Sequence, residues 1–112
     1  MDVVLALGFD LFFKPKMMEA AKVAGVELRH ASPAQALEAA RGATRIVADV
    51  SVAGVPEALA AIRAAHPGTP ILACYPHVEA QRADAVRALG GVAIPRGAFA
   101  ADLVGALSGG KA

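Results

Sequence analysis

The sequence has one cysteine, no tryptophan and no long apolar run. One cysteine, Cys74, excludes an intramolecular disulfide and a zinc site built from several cysteines, and we expect it to be a buried, inert thiol. The 11 basic and 10 acidic residues nearly cancel, which argues against direct nucleic-acid binding because nucleic-acid binders carry a basic excess. The apolar runs fall far short of the ~20 residues that span a bilayer. The Met-Asp-Val-Val start lacks the basic region of a signal peptide, so we expect a cytoplasmic protein without a membrane segment.

Alanine is abundant and large side chains are few. Hydrophobic residues make up 56% of the 112 residues, but 28 residues are alanine and only 4% are aromatic. Small side chains of this kind suit narrow helices packed closely against a sheet. The length is typical of one domain, which we place at residues 1–108, followed by a short flexible tail at 109–112.

Five short apolar runs alternate with five alanine-rich helical patterns. Units of this kind, joined by short loops, form parallel sheets through right-handed crossovers. The sequence therefore predicts an α/β fold, a three-layer, doubly wound, five-stranded parallel sheet. The predicted strands are 3–7, 26–30, 45–49, 70–74 and 92–94, and the predicted helices are 15–24, 32–41 (with Ser32 and Gln35 as a capping box), 54–65, 78–89 and 99–107.

Polar side chains follow the predicted strands where each strand ends. Asp10 follows the first strand, Asp49 ends the third, Tyr75 follows the fourth and Arg96 follows the fifth. Because the carboxyl ends of parallel strands meet at one edge, and ligands bind at that edge in doubly wound sheets, we expect these groups to converge there.

The chain resembles the receiver domains of bacterial two-component response regulators. The resemblance is carried by the length, the five strand–helix units, Asp10, Asp49, the Thr-Pro-Ile-Leu of the fourth strand and a basic residue after the fifth. It extends to about Leu107 and implies a flavodoxin-like sheet in the order 2-1-3-4-5. In that family, acids after strand one hold a divalent metal and the acid ending strand three accepts a phosphoryl group. The resemblance thus makes Asp49 the candidate phosphoacceptor in a phosphorelay, and Asp10 with Asp49 the candidate Mg²⁺ ligands.

The sequence departs from the family pattern at three places. Phe9 replaces one of the paired acids, which weakens Mg²⁺ capture because few protein oxygens hold that ion. Tyr75 stands where the family has Ser or Thr, and Arg96 where it has Lys. Arg96 and Tyr75 are candidate contacts to phosphate, while Arg96 could instead pair with Asp49 or Asp10, and Asp10 could cap the following loop or helix. The pattern indicates a pseudo-receiver with a degenerate phosphorylation site.

Phenylalanines are concentrated in one segment. Phe9, Phe12 and Phe13 lie close together beside two lysines and two methionines, more bulk than one narrow helix face buries. Aromatic and methionine side chains are enriched in interface cores. We therefore predict an interaction surface formed by Phe9, Phe12, Phe13 and Phe99. The resemblance to receiver domains further implies a weak homodimer through a face that includes Phe99, Arg82, Arg87 and Asp102.

Three functions are compatible with these residues. The first is a stand-alone receiver-like signalling protein, not an enzyme, that acts by contacting a histidine kinase or an output protein, with Asp49 phosphorylation impaired or absent. The second is an active single-domain response regulator that is phosphorylated on Asp49 with Mg²⁺. The third is a flavodoxin-like domain that binds a small ligand or anion through Asp10, Asp49, Tyr75 and Arg96.

Overall fold

The computed structural model describes residues 1–109 and contains one five-stranded parallel sheet in the order β2-β1-β3-β4-β5. This confirms the predicted fold class and strand order. Residues 110–112 of the predicted tail lie outside the described residues. Every strand bound falls within one residue of its prediction. The strands are β1 Val3–Leu7, β2 Glu27–Ala31, β3 Arg45–Asp49, β4 Ile71–Tyr75 and β5 Val92–Pro95.

Helices cover both faces of the sheet and bury a separate apolar cluster on each. One cluster includes residues of α2, α3 and α4, and the other includes residues of α1, α5 and α6. Among residues 1–109, no helix has the length and apolar character needed to cross a membrane. The helices are α1 Phe13–Ala24, α2 Ala36–Ala39, α3 Val55–Ala65, α4 Arg82–Ala88, α5 Arg96–Ala101 and α6 Leu103–Ser108, with 3₁₀ turns at Pro33–Gln35 and His77–Glu79.

The alternation of side chains along the two central strands decides which residues can meet at the carboxyl edge. In β4, Ala73 and Tyr75 belong to the cluster under α3, whereas Cys74 belongs to the cluster under α1. Asp49 is the register partner of Cys74, and paired residues of neighbouring strands point to the same face. Asp49 and Cys74 therefore share one face of the sheet, and Tyr75 lies on the other.

Helix α1 begins two residues earlier than predicted. The Asp10 carboxylate oxygen Oδ1 accepts hydrogen bonds from the backbone N–H groups of Phe12, at 3.0 Å, and Phe13, at 2.9 Å. Pro15 lies in the first turn of α1, where the backbone N–H groups have no helical partner, so a proline is compatible with the earlier start. Of the two roles considered for Asp10, the structure shows the cap.

The capping box predicted at Ser32 is wrong. The Ser32 hydroxyl contacts Oε1 of Gln35 at 3.3 Å and caps no backbone N–H group. Without that cap, the segment opens as a 3₁₀ turn, and only the four residues of α2 are α-helical. The helix predicted over 32–41 is correspondingly shorter.

In place of the last predicted helix, 99–107, the structure has two helices, and the first of them begins three residues earlier than predicted. Asp102 interrupts the helical backbone with φ −143° and ψ 68°, and its Oδ1 accepts from the Gly105 N–H group at 2.9 Å to start α6. Helix α5 begins at Arg96, directly after β5, and this position places the Arg96 side chain at the carboxyl edge of the sheet.

Candidate functional site

Asp49 is the one buried charged residue among residues 1–109, with 6% of its surface exposed. Its Oδ1 accepts a hydrogen bond from the Ser51 backbone N–H group at 3.0 Å and from the Ser51 hydroxyl at 2.6 Å. Burying a carboxylate is costly unless its oxygens are hydrogen-bonded, so Ser51 offsets part of that cost.

Arg96 occupies the other oxygen of the same carboxylate. Its Nη2 donates to Asp49 Oδ2 at 2.5 Å and to the Ser51 hydroxyl oxygen at 3.0 Å. The three residues Asp49, Ser51 and Arg96 form a closed triad in which both carboxylate oxygens are engaged. The contact is charge-assisted, which makes it stronger than a neutral hydrogen bond.

Two pKa shifts describe the electrostatics of the triad. Burial alone would lower the pKa of Arg96, but its hydrogen bond to Asp49 and the charge of that carboxylate outweigh burial and raise it. Arg96 therefore remains a cation. Burial and then the charge of Asp49 raise the pKa of the neighbouring Cys74 thiol to about 12, so the thiol stays protonated at neutral pH.

Ser51 was missed by the sequence analysis. Its signal is the Asp-x-Ser spacing after a buried strand, since an Asp side chain often accepts a hydrogen bond from the backbone two residues later. That spacing is common in ordinary turns, so it predicts a local turn. It does not by itself indicate that the Ser51 hydroxyl also accepts a hydrogen bond from Arg96.

The residues at this edge do not fit Mg²⁺. That ion needs an octahedral set of oxygens, usually carboxylates and water. Both Asp49 oxygens already accept hydrogen bonds, one of them from a guanidinium cation, and Asp10 Oδ1 caps α1. Within residues 1–109, no group of three His, Cys, Asp or Glu side chains could hold a metal ion.

Tyr75 is not part of the triad, which corrects its assignment as a phosphate or ion-pair contact. It is 8% exposed and packs in the apolar cluster on the opposite face of the sheet. The apolar pattern predicts that Tyr75 follows the fourth strand, but Tyr75 is the last residue of β4 and follows the strand's alternation.

Three of the four phenylalanines, Phe9, Phe13 and Phe99, pack together, which corrects the predicted interaction surface at Phe99. Phe99 is 0% exposed, so it contributes to neither a partner surface nor the proposed dimer face. Its ring stacks on Phe9 with the centroids 5.3 Å apart and the planes 8° from parallel, and Phe13 lies 5.9 Å from it. Phe9 and Phe13 are partly buried against this cluster. Phe12 alone is fully on the surface, with 88% of its area exposed.

The fold can be compared with known proteins. No protein-family model and no curated protein sequence matches this chain. Solved structures match over nearly the whole chain. The Vibrio cholerae chemotaxis protein CheY4 is 21% identical, with 99% of each chain covered and a TM-score of 0.81. A response regulator receiver domain from Clostridium thermocellum is 14% identical over 98% of this chain and 94% of its own, with a TM-score of 0.83.

A third match is the non-phosphorylated receiver domain of HemR from Leptospira biflexa. It is 15% identical over 93% of this chain and 94% of its own, with a TM-score of 0.74. Sequence identities this low support a conclusion about the fold only. The chain therefore has the flavodoxin-like fold of response-regulator receiver domains.

Proposed function

We propose that this protein is a receiver-like signalling protein of the cytoplasm that acts through protein–protein contacts, without enzymatic activity and without phosphorylation of Asp49. The observation that carries the proposal is the closed triad. A carboxylate oxygen is a weaker nucleophile when it accepts strong hydrogen bonds, and here Ser51 donates to one Asp49 oxygen and Arg96 donates to the other.

The charge balance supports the same conclusion. Phosphoryl transfer requires cations that offset the negative charge spreading over the transferred group. Arg96 is the nearest such cation, but its charge already balances that of Asp49. Phosphorylating Asp49 would require breaking this ion pair in a largely buried position, without a metal site to replace the lost charge.

We expect no phosphate adduct when the protein is incubated with acetyl phosphate and Mg²⁺, because attack by Asp49 would require breaking its ion pair with Arg96 and the surrounding residues do not fit Mg²⁺. Intact-protein mass spectrometry measures this directly, with a phosphorylatable receiver domain as the positive control. An adduct of one phosphate that disappears in Asp49→Asn would contradict the proposal and establish the active response regulator instead.

The surface at the start of α1 supports a role in protein contacts. Leu11 and Phe12, in the connection between β1 and α1, are 79% and 88% exposed. Large exposed apolar side chains that lie next to each other mark interaction sites more often than isolated ones do. We propose that these two residues contact a partner signalling protein, either a histidine kinase or an output protein.

We expect Phe12→Ala to abolish capture of such a partner, because an exposed aromatic ring at an interface core contributes much of the binding energy. Tagged wild type and variant are expressed in the source organism, and co-purified proteins are quantified by mass spectrometry. Val23→Ala, which removes another exposed apolar side chain at the far end of α1, is the matched control. The same proteins recovered in the same amounts with Phe12→Ala and wild type would refute the assignment of this surface.

A further inference from the structure

A concave surface lies at the carboxyl edge of the sheet, on the side of β1 away from the triad of Asp49, Ser51 and Arg96. It is an open cavity of about 330 Å³ between the ends of β1 and β2. Lys14 of α1 and His30 of β2 line it, together with the side chains of Ser32 and Gln35. The remaining lining residues are Ala6, Gly8, Phe9, Ala31 and Pro33, so the walls contain no carboxylate.

The cavity is lined by one cationic side chain, that of Lys14. Lys14 is half-buried and forms no ion pair within residues 1–109. Partial burial and then the charge of Lys14 lower the pKa of His30. Arg96, unlike Lys14, forms an ion pair, because Asp49 balances its charge.

Several hydrogen-bond donors accompany this charge. The Ser32 hydroxyl contacts Oε1 of Gln35 at 3.3 Å, which leaves the two N–H donors of the Gln35 amide available. The imidazole of His30 adds another donor. The volume is at the lower end of the range for small-molecule sites and exceeds that of a bare phosphate ion. Phe9 and Pro33 supply apolar wall beside the polar groups.

We propose that this cavity binds the phosphate group of a small phosphorylated molecule through Lys14 and His30. The site uses none of the triad residues and so goes beyond the proposed function. It also differs from an anion site at Arg96, where a carboxylate already occupies the position an anion would take.

The test is an amide NMR titration with inorganic phosphate and, separately, with glycerol 3-phosphate, at ionic strength balanced by sodium chloride. Both are expected to shift the amides of residues 8–9, 14, 30–32 and 34–35 and to leave those of residues 49–51 and 96 unchanged. Lys14→Met is expected to weaken binding by about tenfold, the typical effect of losing a charge-assisted hydrogen bond. Lys16→Met, which removes an exposed lysine of the same helix that does not line the cavity, is the matched control, with an expected change of less than about twofold.

Asp49→Asn is expected to bind phosphate and glycerol 3-phosphate as the wild type does, because Asp49 does not line the cavity. A failure of this inference is therefore distinguishable from a failure of the proposed function. If Lys14→Met does not fold, as judged by its thermal unfolding, His30→Ala provides the same comparison. The inference is overturned if chloride alone produces the shifts, if Lys14→Met and Lys16→Met weaken binding equally, or if the shifts centre on residues 49–51 and 96. Binding of inorganic phosphate without glycerol 3-phosphate would overturn the assignment to a phosphorylated molecule.

Discussion

Phe99→Ala is expected to lower the free energy of unfolding by about 3–5 kcal/mol, the usual cost of truncating a buried phenylalanine. The Phe99 side chain is 0% exposed and its ring stacks on Phe9. Since Phe9 follows β1 and Phe13 begins α1, neighbouring backbone holds both rings, and they cannot fill the space that the truncation leaves. Urea unfolding followed by far-ultraviolet circular dichroism measures the change.

Phe12→Ala is the matched control, because it makes the same chemical change at a site that is 88% exposed. We expect it to change the free energy of unfolding by no more than about 0.5 kcal/mol. If the two variants are equally stable, the three-ring cluster is not part of the core, and the surface position predicted for Phe99 from the sequence would be reinstated.

Arg96→Met is expected to lower the free energy of unfolding by about 2–3 kcal/mol, because it leaves one oxygen of a buried carboxylate without its partner. The arginine side chain is itself 44% exposed, so water relieves part of the cost of breaking the pair. Arg87→Met is the control: Arg87 pairs with Asp84 at 3.7 Å, with both side chains largely exposed, and pairs of this kind contribute at most about 1 kcal/mol.

A double-mutant cycle isolates the interaction itself. In an Asp49→Asn background the carboxylate charge is absent. Arg96→Met should therefore lower the free energy of unfolding by less than half as much as it does in the wild type. If Arg96→Met and Arg87→Met destabilise equally in the wild-type background, or if the cycle shows no coupling between Asp49 and Arg96, the two residues do not form a closed ion pair.

The sheet and the convergence of Asp49 with Arg96 could be predicted from the sequence. Apolar runs such as Val3–Leu7 are short and bounded by turn residues, and the short connections between units leave parallel pairing as the stable arrangement. Residues at the carboxyl ends of parallel strands meet at one edge whatever their side chains are. For that reason, Asp49 and Arg96 come together as expected, even though the helix bounds around them differ from the prediction.

The face on which each side chain lies could not be predicted. Ending the fourth strand at Cys74 places Tyr75 in a loop, whereas one further strand residue points Tyr75 away from the triad. Phe99 lies in the core because α5 begins at Arg96, directly after Pro95, three residues before the start that the apolar pattern predicts. Both errors arise because a shift of one or a few residues in an element bound reorients the side chain.

A crystal structure of the protein grown with Mg²⁺ and beryllium trifluoride, a mimic of the phosphoryl group, tests the closed triad most directly. We predict that Arg96 Nη2 stays within hydrogen-bonding distance of Asp49 Oδ2, as in the 2.5 Å contact described above, with no beryllium trifluoride on the carboxylate. Beryllium trifluoride bonded to Asp49, with Mg²⁺ held beside Asp10 and Arg96 displaced from the carboxylate, would contradict it.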